Sequence, residues 1–182
     1  MRVMSLARLG GMFAATVGLT AAGILSLAPV DTRAQAPQPL KIALLGGLSG
    51  VYADIAQGQV EAMQLAVDDM GGKVLGRPIE VLSADHQNKP DIAAAVARKW
   101  YDEGVRMIIG LDTSSVGLAV RKVAQEKGQI DLNVGSATAD LTGPACSPTG
   151  AHWGYDTYAL AHVTGSAVVK DGGDTWFFVT AD

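Results

Sequence analysis

The chain has 182 residues, of which 48% are hydrophobic and 18% charged, with 18 acidic against 14 basic side chains and a net charge of −4. An acidic chain without a basic stripe is a poor partner for nucleic acid, and a single cysteine, Cys146, excludes an intrachain disulfide framework. What remains is an Ala- and Gly-rich globular chain with room for about one domain and a real core.

Residues 1–36 read as an export signal. Arg2 and Arg8 form a positive start, an apolar stretch runs from about Leu9 to Val30, and Ala34-Gln35-Ala36 supplies small residues for cleavage after Ala34 or Ala36. The apolar stretch is long enough to span a bilayer, but its Ala, Gly and Thr content is weakly hydrophobic, so cleavage and release into the periplasm are expected. No cysteine lies near the cut to take a lipid, and no later segment reads as a membrane span.

From residue 40 onward, strands and helices alternate. "LKIALLGG" (40–47) has the apolar run of a strand, and residues 53–70 form a helix with Ile55, Met63, Ala66, Val67 and Met70 on one stripe. Gly71-Gly72 stops that helix. "PIEVLSAD" (78–85) is the next strand. Residues 90–103 follow as a helix with Pro90 in its first turn and Ile92, Val96 and Trp100 facing inward. Strand 105–111, helix 115–127 and strand 130–134 come next, and Lys127-Gly128 ends that helix. A Gly-, Pro-, Ser- and Thr-rich loop fills 142–150, residues 157–171 read as a helix, and "TWFFVTAD" (175–182) as a closing strand running into the start of a loop. This alternation predicts an α/β fold, a parallel sheet with helices on both faces. A chain ending on an uncovered strand is expected to continue.

In open α/β sheets, ligands bind beyond the carboxyl ends of the strands. Ser49, Gly50 and Tyr52 follow the first strand; Asp85, His86 and Asn88 end the second. Asp112, Thr113, Ser114 and Ser115 follow the third, and Ser136, Ala137 and Thr138 the fourth. Each hydroxyl alone reads as a helix cap. Together on one sheet edge, beside helix N-termini with free N–H groups and partial positive charge, they suit a carboxylate. The chemistry of an enzyme is missing: there is no dinucleotide or phosphate-loop glycine pattern, no G-x-S-x-G elbow and no metal-ligand spacing among His86, His152 and His162. No catalytic residue, cofactor or metal is expected.

The series L-S-G, D-x-x-N-K-P, S-S and S-A-T at successive strand ends resembles the periplasmic solute-binding proteins of ABC importers, of the branched-chain amino-acid (leucine-binding) type, across 40–182. The resemblance implies a two-lobed clamp of the type I periplasmic binding fold. Residues 37–150 would form the first lobe, and 151–182 the crossover and first helix–strand unit of the second. It implies a small-molecule ligand bearing a carboxylate, delivery to a membrane permease, and no membrane insertion after signal cleavage. A periplasmic sensing module feeding a signalling receptor is the alternative. Carried over by position, Ser114 or Ser115, with Ser136, Ala137 and Thr138, would hold the carboxylate. Ser49 and Tyr52 would line the pocket, and Asp85, Tyr155 and Asp156 would lie at the cleft or hinge. Members of the family are longer, and the absent lobe supplies the acidic and aromatic residues that choose between aliphatic amino acids, aromatic carboxylates and amides.

Overall fold

The computed structural model describes residues 37–178, so the export signal lies outside the described residues. Strands β1 (Leu40–Gly46), β2 (Lys73–Val74), β3 (Arg77–Asp85), β4 (Val105–Gly110), β5 (Ile130–Asn133) and β6 (Gly150–His152) form one sheet. Their order is β2-β3-β1-β4-β5-β6. All neighbours run parallel except β2, which folds back antiparallel on β3. Helices α1 (Ala53–Asp69), α2 (Pro90–Asp102) and α3 (Ser114–Lys127) make the crossovers, and α4 (Thr157–Lys170) follows β6.

The expected class holds, and alternation along β1 shows why. Ala43 and Leu45 point to one face, where Ala93, Ala97 and Trp100 of α2 and Val116, Val120 and Val123 of α3 close a continuous core. Ile42 and Leu44 point to the other face, toward Met63 and Val67 of α1. Ion pairs Arg98–Glu126 and Lys127–Asp102, both at 2.6 Å, lace α2 to α3 at the surface. Gly128 ends α3 in the left-handed conformation, φ 62°.

The stripe expected on α1 is only partly buried. Met63 and Val67 are covered, whereas Ile55 and Met70 are 59% and 64% exposed. Met70 and Ala66 instead line an open apolar groove over β1 and β4, and Ile55 faces the hollow described below. The closing strand also differs from expectation. Residues 173–178 adopt no regular structure, and 179–182 lie outside the described residues. A strand exists by pairing its backbone groups with a neighbour, and among the described residues none is alongside.

Candidate functional site

β1, β3, β4 and β5 run parallel, so their carboxyl ends share one edge. There the chain converges on Asp112. Its side chain is 2% exposed and reached from three elements: Gly47 N–H donates to Oδ2 at 2.6 Å, Gln59 Nε2 on α1 donates to Oδ1 at 2.9 Å, and His86 Nε2 approaches Oδ2 at 3.6 Å. The Asn88 N–H donates to His86 Nδ1 at 3.0 Å, which assigns the ring proton to Nε2, facing the carboxylate. Burial alone would raise Asp112; the His86 ring, the Gly47 N–H and the Gln59 amide outweigh it and hold the carboxyl below its usual range.

The backbone is shaped to deliver that carboxylate. Leu111 is fully buried yet left-handed, φ 69°, a conformation that costs a branched side chain energy and that tends to mark functional turns. Gly135 lets the β5 loop close over it, since a Cβ there would stand 2.7 Å from the Asp112 Cα.

Above Asp112 lie two adjoining hollows of about 200 and 460 Å³, sharing Tyr52, Asp112, Gly135 and Tyr155. The smaller adds Ile55, Gln59 and Ser136; the larger adds Asn88, Thr113, Ser114, Ser115 and Ala137. The N-terminus of α3 opens into the larger one. Thr113 occupies its cap position without a side-chain cap bond, and the first turn carries no acidic residue. The hydroxyl capping expected here is therefore not made, and the leading N–H groups of α3 keep their partial positive charge.

Of the residues expected at the site, Tyr52, Ser114, Ser115, Ser136, Ala137 and Tyr155 border these hollows. The Ser136 hydroxyl is taken up by the main chain, 2.7 Å from the Leu111 carbonyl and 2.8 Å from that of Thr113. Ser49, Asp85, Thr138 and Asp156 lie off the lining. The Ser49 hydroxyl and the Gln87 N–H serve Asp85; burial raises that carboxyl, and these donors with His86 and Leu48 bring it below its usual value. Thr138 accepts the Asp140 N–H at 3.3 Å, and Asp156 accepts the Ala159 N–H at 2.7 Å to cap α4. Both are occupied locally, as Ser, Thr and Asp often are where helices start.

Sequence reasoning missed Gln59 and the central place of Asp112. Gln59 sits among polar residues on α1 and looks like solvated surface. Asp112 was visible only as an acid between a strand and a hydroxyl run. Among the described residues no serine hydroxyl pairs with an imidazole, no group of three or more His, Cys, Asp or Glu could hold a metal ion, and no helix is long and apolar enough to cross a membrane. The arrangement offers donors and a helix end to a small solute.

Comparison with known proteins shows the family and the fold. A family model described as periplasmic binding protein matches residues 39–182. The Leu/Ile/Val-binding protein BraC3 of Rhizobium johnstonii is 28% identical over 129 residues, covering 70% of this chain and 34% of its own. A periplasmic binding protein from Burkholderia mallei is 52% identical with a TM-score of 0.75, over 79% of this chain and 39% of that one. A solute-binding protein of an ABC transporter from R. palustris, in complex with benzoate, is 28% identical with a TM-score of 0.67, over 74% and 38%. The chain spans about a third of the length of the curated relatives it matches.

Proposed function

The chain belongs to the periplasmic binding protein family, and on that premise we propose that it is the exported solute-capturing component of an ABC importer. It takes a small carboxylate-bearing solute into the cleft at the sheet's carboxyl edge and hands it to a membrane permease. The observation that carries this is the open N-terminus of α3, uncapped, free of acidic side chains in its first turn, and flanked by Ser114 and Ser115 inside the larger hollow. One relative is named for leucine, isoleucine and valine, and another holds benzoate. Those compounds share a carboxylate on an apolar body. That shared part is what a helix end with hydroxyls recognises, while the apolar body would rest against Tyr52, Ile55 and Tyr155.

Calorimetry on the full-length protein with leucine, isoleucine and benzoate, each beside its amide, tests the reading. A hydrogen bond to a charged group contributes about 1.5–3 kcal/mol, so removing the charge is expected to weaken binding by roughly tenfold to a hundredfold. Amides that bind as tightly as the acids would sink the carboxylate assignment.

A further inference from the structure

We infer that Asp112 is a charge filter in this cleft, admitting solutes with one carboxylate and turning away those with two. The inference rests on the solute-binding reading above and adds the ligand class. Among the described residues, Asp112 is the one charged side chain lining either hollow, and it lines both. No described Lys, Arg or His borders them to meet a second anionic group.

The carboxylate cannot swing aside. Gly47 N–H holds one oxygen at 2.6 Å and Gln59 the other at 2.9 Å, and the left-handed Leu111 aims the residue from behind. It precedes Ser114 by two positions, so its charge lies close to the helix end that would receive the ligand. Two features oppose each other there: the α3 N-terminus attracts an anion, and Asp112, buried where water screens poorly, repels one. One carboxylate can take the helix end at a net gain, whereas a second finds neutral donors but no cation in the lining, and Asp112 as its one charge. The donors around Asp112 also keep it ionised despite burial, so the repulsion persists at neutral pH. An asparagine would preserve most of the packing without the charge, which separates this role from that of a structural strut.

The test uses isosteric pairs on the full-length protein: glutamine against glutamate, and 4-carbamoylbenzoate against terephthalate. Each is measured by calorimetric competition against whichever of leucine or benzoate binds. Unaltered protein is expected to favour the monocarboxylate of a pair by at least about tenfold, the scale of one unscreened charge contact. D112N is expected to bring that ratio within about threefold, and D112S serves as a second neutral variant should D112N not fold. Equal binding of both members to the unaltered protein overturns the filter while leaving solute binding intact. So does a neutral variant that weakens both members alike, which marks Asp112 as a strut. If neither leucine nor benzoate binds, the proposed function fails, and the filter fails with it.

Discussion

Arg121 heads the fully buried side chains by size, and a guanidinium withdrawn from water needs every donor answered. Nε lies 2.8 and 2.7 Å from the two Asp131 oxygens, Nη1 donates to the carbonyls of Leu141 and Ala145, and Nη2 to that of Ala151. Burial pushes the Asp131 carboxyl up, and the guanidinium works against that shift. Gly150 leaves the necessary room, since a Cβ there would meet the guanidinium itself. Removing one member of such a pair strands the other charge, so R121M is expected to cost about 3–5 kcal/mol, and R121M/D131L to recover most of it. Urea unfolding curves of the two variants check this; a double variant no more stable than the single one contradicts it. Little in "VRKVAQEK" distinguishes Arg121 from the exposed Lys122 beside it. The legible clue lay ten residues on, in the acid placed inside the apolar strand "IDLNV".

Helix α3 shows how an element can satisfy one rule by breaking another. Gly117 lies in its second turn, where alanine is preferred by about 1 kcal/mol on propensity alone. Yet a Cβ at 117 would collide with Asn133 Nδ2 and Ser136 Oγ. That glycine therefore lets the β5 loop press against the helix and brings Ser136 beneath the cleft. G117A is expected to destabilise by about 1–3 kcal/mol, the overpacking cost exceeding the propensity gain, with a lowered thermal midpoint as the readout. A raised midpoint would mean that the loop yields freely. The longer elements were legible because 3.6-residue and two-residue periodicities report burial directly. β2 and β6 were not, having two and three residues, too few for any period. The segment from Thr175 has β-rich residues, but composition cannot supply a pairing partner. Within the site, the hydroxyl-bearing strand ends were readable in register. Which hydroxyls face the cleft was not, because Ser136 and Thr138 differ only in what backbone lies beside them.

At the scale of the whole molecule, the described residues leave aromatic side chains bare around the cleft. Tyr155, 69% exposed, and Trp153, 77% exposed, border it or lie next to it without cover. A carboxylate held by the α3 N-terminus with Ser114 and Ser115 would gain about three charged hydrogen bonds at about 1.5–3 kcal/mol each, which barely reach the roughly 8 kcal/mol that micromolar affinity requires, before association entropy is subtracted. Residues 37–182 produced alone are therefore expected to bind leucine or benzoate more weakly than micromolar. A micromolar dissociation constant by calorimetry would show these residues to be sufficient. The apolar groove beside α1, about 420 Å³ in volume and lined by Ile42, Leu44 and Met107 among others, is a second uncovered surface on the opposite face from the closed core.

The Arg121 contacts also define a mechanical load path. Tension on the chain beyond His152 is carried first by the β5–β6 pairing and the Trp153 N–H to Asn133 carbonyl bond. It then passes through the Ala151 carbonyl into the guanidinium, and from there to Asp131 in β5 and to the body of α3. One planar group thus acts as a rivet through strand, loop and helix. Strain arriving along the chain beyond His152 is thereby shared between β5 and α3, while His152 Nε2, 2.7 Å from the Ser136 carbonyl, ties the same segment to the rim of the cleft.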